Sequence, residues 1–318
     1  MLNKIAKSIR ENENIKEKRE LDPIVREINE HCYDSSRIFT DIGEDSASIF
    51  FGKKLVLITT DRIRTEFIEH FPQGAGFSSI LVGVDDIYCC GGVPLATSLI
   101  ISFKERDHLE RIIQGAIEAS NKFHVPIVRG HTNISRKYYE LSSTMVGEIQ
   151  KEDYISAQDA KVGDDIILAI DEQGKIAESS DLYWDTVTFK TSEDVLSRRR
   201  SMNEIAQTHL AHSAKDVANG GIIGSIMQLC KYSEVGTEIF IDKIRIPSIL
   251  LDKNYDIETF IKMYLTTCYI LTTSKENSSE LIEIFKKHQM RACVIGKIIK
   301  DKQLIINSGL ESLKVFEI

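Results

Sequence analysis

One stretch, GAGFSSILVGVDDIYCCGGVP from Gly74 to Pro94, restricts the possible folds of this chain more than any other. Phe77, Ile80, Leu81, Val84, Ile87 and Tyr88 recur at three- and four-residue spacing, which predicts an amphipathic helix. Gly91-Gly92 ends that helix, and Pro94 opens PLATSLIISF, a predicted buried strand. Asp85-Asp86 fits this pattern poorly. Two carboxylates near a helix C-terminus face the negative end of its macrodipole, at a cost of about a few tenths of a kcal/mol or more. At about 100° per residue, Asp86 points away from the apolar face. A positive partner is expected there.

The rest of the first half alternates strands and helices. SASIFF and KLVLITTD predict short strands around a Gly52-Lys53 turn. Asp107 to Phe123 predicts a second amphipathic helix, followed by a strand Val125 to Val128, a polar turn RGHTNISRK, and a strand Leu141 to Ile149. Strands with interleaved helices on one side make an α+β sheet layer. Near Asp159 the texture changes, and AQDAKVGDDIILAID reads as a linker, a turn and the first strand of a new domain. The expected division is 1–159 and 160–318, in keeping with a length of 318 residues. In the second half, TEIFI, CYILTT and ACVIGKII predict strands, and 196–211, 219–230 and 278–289 predict helices. Between them EQGKIAESSDLYWDTVTFKTSEDV reads as a long polar loop.

A formal charge of -8 argues against a general nucleic-acid binder. No apolar run approaches the roughly 20 residues of a membrane span. The N-terminal segment lacks the apolar core of a signal peptide. Ile5, Ile9, Ile15, Leu21, Ile24, Val25 and Ile28 instead predict helices with one apolar side. The six cysteines form no C-x-x-C pair, which favours small core residues and a reducing cytoplasm.

Four clusters could carry chemistry. Asp41-Ile42-Gly43-Glu44-Asp45 is a carboxylate-rich turn, open to reading as a ligand set or as a solvated turn. Thr59-Thr60-Asp61 leaves a buried strand, where an aspartate is also an ordinary terminator. Asp85-Asp86 carries the dipole argument above. Lys215-Asp216 precedes Asn219-Gly220-Gly221 at a helix start, which suits a phosphate or a plain N-cap.

In order, GEDSASI, VLITTD, VDDIYCCGGVP, IVRGHTN, KDVANGG and ACVIGKI resemble the signature blocks of the aminoimidazole ribonucleotide (AIR) synthetase superfamily. That group includes selenophosphate synthetase, thiamine-monophosphate kinase and the hydrogenase-maturation dehydratase. YWDT, AKDVANGG, SEVGTEIFIDKIRIP and IKMY resemble its AIR synthase-related branch, which contains methanogenesis marker protein 2. The resemblance implies two α/β domains, the second with a mixed sheet and helices, and a homodimer formed through the N-terminal sheets. It also implies ATP and Mg2+ in the cleft and phosphoryl transfer or ATP-driven synthesis on a small molecule. By the same resemblance Asp45, Asp86, Glu44 and Asp85 are metal candidates. Asp61, Gly91, Gly92, Thr132 and Lys215 are nucleotide candidates, and Asp216 and His131 are catalytic candidates. Hard magnesium and phosphoryl transfer suit such a carboxylate-rich set.

Two departures from the pattern matter. Glu44 replaces the first aspartate of the usual G-D-D. His131 stands where relatives carry the carboxylate of G-G-D-T or G-G-E-T, and a neutral imidazole is a poor magnesium ligand. A lost metal site, a contact to phosphate or substrate, a proton shuttle and a structural histidine all remain open. A nucleotide-binding partner or maturation factor with little turnover is therefore the alternative to an enzyme. The chain ends in KVFEI, without the terminal cysteine of the hydrogenase-maturation relative. Its N-terminal segment lacks the glycine-rich cysteine–lysine motif of selenophosphate synthetase. Arg198-Arg199-Arg200 reads either as a phosphate grip or, as charge runs on helices usually are, as a solvated face. Trp184 either closes over a ligand or anchors its loop. Cys89-Cys90 read as small packing residues.

Overall fold

The computed structural model describes residues 1–20, 22–33, 35–135 and 137–318; Leu21, Asp34 and Arg136 lie outside them. Three helices, α1 (Leu2–Glu11), α2 (Glu13–Glu20) and α3 (Asp22–His31), precede the first sheet. That sheet contains β1 (Ile38–Thr40), β2 (Ala47–Phe51), β3 (Lys54–Arg62), β4 (Val93–Phe103), β5 (Ile127–Ile134) and β6 (Glu140–Gln150). Its order is β1-β2-β3-β6-β4-β5, antiparallel throughout except for the β4–β5 pair. Between strands lie α4 (Thr65–His70), α5 (Pro72–Cys89) and α6 (Arg106–Phe123).

α5 and α6 share a core with β3, β4 and β6. The two helices cross where neither has a side chain. A Cβ built on Gly76 would lie 2.0 Å from the Ile112 carbonyl oxygen, and one on Gly115 would lie 1.9 Å from that of Gln73. α5 is not the amphipathic helix that its spacing predicts. Ser79, Gly83, Asp85 and Cys89 are buried along with its apolar stripe. The sheet covers one side, α6 another, and elements of the second unit the remainder. RGHTN is not a turn either: β5 runs through it to Ile134, paired in parallel along the remaining edge of β4. As an edge strand it is exposed along its whole length.

The second unit holds β7 (Asp165–Ile170), β8 (Lys175–Ala177), β9 (Ser180–Asp185), α7 (Ser192–Thr208), β10 (Ser213–Asp216) and α8 (Gly221–Tyr232). It continues with β11 (Gly236–Phe240), α9 (Ser248–Asp252), α10 (Ile257–Phe260), β12 (Tyr264–Leu265) and β13 (Cys268–Thr273). It ends with α11 (Ser278–Lys287), β14 (Arg291–Ile299), β15 (Gln303–Ser308) and β16 (Glu311–Glu317). Its mixed sheet has the order β10-β13-β7-β14-β11-β15-β16, and β12-β9-β8 forms a smaller one. The segment expected as a polar loop thus contains two strands. Trp184 in β9 is fully buried, and its indole N–H donates to the Asp171 carbonyl (3.0 Å). It anchors this region.

The first two N-terminal helices pack on the second unit. Leu2, Ile5, Ala6, Ile9 and Ile15 belong to its core, and Arg10 donates to the carbonyls of Val315 (2.7 Å) and Lys314 (3.0 Å) on β16. Burying each of the larger aliphatic side chains stabilises this docking by about 1.5–3 kcal/mol. Among the described residues, no helix is long and apolar enough to cross a membrane.

Candidate active site

Four elements bring acidic and basic groups together between the two units. The turn before β2 carries Asp45, the end of β3 carries Asp61, and the last turn of α5 carries Asp86. The end of β10 supplies Lys215 and Asp216 from the opposite side. One carboxylate oxygen from each of Asp45, Asp86 and Asp216 lies within 4.8 Å of the others. Lys215 Nζ donates to Asp45 Oδ1, and the Asp216 amide donates to Asp45 Oδ2 (3.3 Å). Thr59 Oγ1 donates to Asp86 Oδ2 (2.6 Å) and lies 3.4 Å from Asp61 Oδ2.

Like charges this close oppose one another's ionisation. Burial, then Asp61, Asp216 and Asp45, push the Asp86 carboxyl well above the usual range. Burial and Asp45 push Asp216 up to about 7 although Lys215 opposes them. Burial likewise raises Asp61. Burial works against the Lys215 ammonium, yet Asp45 and Asp216 outweigh it and raise its pKa. Carboxylates from both units therefore converge on a point where one lysine balances only part of their charge. Their hard oxygen donors fit a divalent cation such as magnesium.

α8 begins beside this cluster. Gly220 and Gly221 take left-handed φ values of +97° and +64°, and a Cβ on Gly221 would lie 2.3 Å from the Ile261 carbonyl oxygen. Glycine lets the chain turn directly from Asp216 into a helix N-terminus, where amides lack intrahelical acceptors.

Other sequence candidates lie elsewhere. Asp85 faces away from the cluster and accepts from Arg199 Nε (2.8 Å), with Nη2 2.7 Å from the same oxygen, both residues being buried. The cation expected at this helix end thus serves Asp85, while Asp86 receives a hydroxyl. Arg199 is correspondingly no solvated residue. Arg198 is also buried, with Nε 2.6 Å from Asp171 Oδ2, so of the three only Arg200 is on the surface. Glu44 turns toward the connector between the units. It accepts from Ser156 Oγ (2.6 Å), the Ala157 amide (2.7 Å) and Gln158 Nε2 (3.0 Å). Gly91 and Gly92 admit protein rather than ligand. Their carbonyls accept from Asn203 Nδ2 (2.8 and 2.9 Å), and Cβ atoms there would meet Ala206 at 2.5 Å and Leu57 at 2.4 Å. His131 and Thr132 are exposed on β5, three strand positions from β3, or about 14 Å at the usual spacing.

Thr59 belongs to the Thr59-Thr60-Asp61 cluster legible in the sequence, and its pairing with Asp86 appears only in the fold. One residue lacks any local signal. Lys18, in a charge-rich helix some two hundred residues from α8, donates to Gln228 Oε1 (2.7 Å). Burial and Lys215 hold its pKa down at about 8, against the attraction of Asp216, Asp45 and Asp86. Beside the cluster, Tyr183 and Tyr264 stack with ring centroids 5.0 Å apart. They join the YWDT and IKMY segments through the β9–β12 pairing.

Comparison with known proteins decides the family. Residues 43–149 match the AIR synthase related protein N-terminal domain, and residues 167–308 match its C-terminal domain. This chain belongs to the AIR synthase-related family. An uncharacterised protein of Methanocaldococcus jannaschii is 33% identical over 99% of the chain and 97% of its own length. A thiamine-monophosphate kinase of Buchnera aphidicola is 26% identical over 82% of the chain and 85% of its own. The fold is that of AaThiL, solved with AMPPCP and TMP (TM-score 0.69, 18% identity, 93% and 96% coverage). It is also that of the phosphoribosylformylglycinamidine synthase II of Thermotoga maritima (TM-score 0.71, 16% identity). That alignment covers 88% of this AIR synthase-related chain but only 47% of the Thermotoga chain, slightly less than half its length.

Proposed function

We propose that this AIR synthase-related protein binds ATP with Mg2+ between its two units and transfers a phosphoryl group, or drives a ligation, on a small molecule. The carrying observation is the convergence of Asp45, Asp86 and Asp216 from both units beside Lys215 and the start of α8. Asp45, Asp86 and Asp216 are the residues that would hold magnesium. When bound, the ion would neutralise and orient phosphate oxygens. The chain's own part is positional. Thr59 fixes the Asp86 carboxylate, Lys215 holds Asp45 and offers positive charge, and the N-terminal amides of α8 face an anion. Without the ion, burial and Asp45 raise Asp216 to about 7; the charge of the ion would draw it to its ionised form.

Several relatives and fold neighbours support the nucleotide. T. maritima PurL was solved with ATP, ADP and AMPPCP, and one sequence relative is a kinase of thiamine monophosphate. Dimerisation through the first sheet is part of this reading. Leu95 and Ile100 are 44% and 45% exposed on β4, and Val128 is 66% exposed on β5. The division near residue 159, the cytoplasmic location and the absence of nucleic-acid and membrane partners belong to the same proposal.

ATP turnover with magnesium across a metabolite panel, in wild type and Asp86→Asn, tests the reading. Substrate-dependent turnover lost in the variant is expected. The second reading, a nucleotide-binding partner or maturation factor, draws on His131, whose exposed position on β5 puts it away from the carboxylates. Tight ATP binding without turnover on any substrate would favour it. Failure of ATP and ADP to raise the melting temperature would count against both.

A further inference from the structure

The N-terminal helices precede the family-matched region, which begins at residue 43. Among them, α2 nevertheless brings Lys18 into the electrostatic neighbourhood of the carboxylate cluster. α1 is held along β16 by Arg10, and the break at Asn12 lets α2 turn back over the second unit, with Ile15 buried in its core. From there α2 lies across the start of α8. Lys18 Cε would be 3.6 Å from a Cβ built on Gly220, and Lys18 Cδ would be 3.9 Å from one on Gly224. On its other side α2 meets the first unit, where Arg64 Nη2 donates to Asn14 Oδ1 (2.5 Å) and lies 3.6 Å from Glu17 Oε2. The helix therefore touches both units, beside the start of α8 that follows Asp216.

The side chain at this bridge has a particular form. The Lys18 stem lies along the glycine face of α8, and its ammonium donates to the neutral amide oxygen of Gln228 rather than to a carboxylate. A lysine placed only to dock the helix would be satisfied by an ion pair on the surface, as Lys4 is by Glu258. Lys18 instead brings its charge to an anion-favouring helix terminus, in the same electrostatic neighbourhood as Lys215.

We infer that Lys18 is a phosphate-binding residue of this site, its ammonium and that of Lys215 gripping the polyphosphate chain of the ligand. This deepens the nucleotide reading and rests on it for the identity of the ligand. The N-terminal arm then completes the site from outside the family-matched region.

The test compares full-length wild type, Lys18→Met and Lys18→Arg by calorimetric titration with ATP and with inorganic tripolyphosphate, each with magnesium. Lys18→Met keeps the stem, so its ligand-free melting temperature should stay close to wild type. Its affinity for both ligands should fall about tenfold or more, and Lys18→Arg should recover most of that loss. Unchanged affinity in Lys18→Met would overturn the inference. Wild type binding tripolyphosphate but not ATP, with the former lost in Lys18→Met, would uphold Lys18 and sink the nucleotide reading. Wild type binding neither ligand would sink both. Should Lys18→Met fail to fold, amine acetylation of wild type gives an independent answer. Magnesium and tripolyphosphate should shield Lys18 from modification, and undiminished labelling would overturn the inference.

Discussion

Arg199 Nε donates a hydrogen bond to Oδ1 of Asp85, the residue directly before Asp86, and its Nη2 lies 2.7 Å from the same oxygen. A buried ion pair from α7 thus sets the end of the helix that delivers a carboxylate to the site. Burial raises the Asp85 pKa even against Arg199, so this ion pair depends on both members being present. Removing one partner of a buried pair leaves the other charged and unsatisfied, at about 3–5 kcal/mol. Arg199→Met should lower the free energy of unfolding by that order in urea titrations. The Arg199→Met/Asp85→Leu double variant should recover part of it. Equal stability of single variant and wild type would remove this pair from the account.

The carboxylate cluster should make the metal-free protein less stable as pH rises. Asp86, Asp61 and Asp216 have folded pKa values above the ordinary aspartate value, with Asp216 at about 7. Between roughly pH 4 and 7 the folded state therefore holds more protons than the unfolded state, and stability falls with pH across that window. Melting temperatures from pH 5 to 8 should decline more steeply for wild type than for Asp216→Asn. Magnesium should raise the wild-type value most at the alkaline end, where the carboxylates are free to bind it. A steeper decline in Asp216→Asn would contradict the assigned shifts.

Gly221→Ala should damage both the fold and the anion site. The new methyl meets the Ile261 carbonyl oxygen, and φ of +64° disfavours any L side chain. A cost of about 1–3 kcal/mol is expected from overpacking and backbone strain. Nucleotide binding by calorimetry should weaken as α8 shifts. An undisturbed melting temperature would show that the turn has room the structure does not give it.

Trp184 reports directly on the polar segment around it. As the only tryptophan, fully buried and bonded to the Asp171 carbonyl, it should fluoresce at short wavelength and resist acrylamide quenching. Adding ATP and magnesium should leave its quenching unchanged, because an anchor does not close over a ligand. Strong protection on ligand addition would favour a lid instead.

The local sequence carried much of the architecture. Hydrophobic spacing located most helices and strands, because a 3.6-residue or two-residue period reflects which side is buried. The blocks that carry the family resemblance marked Asp45, Asp61, Asp86 and Lys215-Asp216, each at or near the end of an element. Edge and docking contacts were less visible. β5 reads as a turn because an exposed edge strand shows no alternation, and α5 reads as amphipathic because its second buried side is covered by other elements.

By itself, then, the sequence determined many of the longer helices and strands, the superfamily and a short set of acidic candidates. Helical spacing already turned Asp86 off the apolar face and favoured it as the ligand; only the tertiary structure decided what each of the two adjacent aspartates meets. Asp85 and Asp86 are alike in chemistry and differ by about 100° around one helix. What separates them is Arg199 on one side and Thr59 with two further carboxylates on the other. The same distant packing carries Lys18 to the start of α8. Such placements depend on contacts between residues far apart in the chain, which no local pattern encodes.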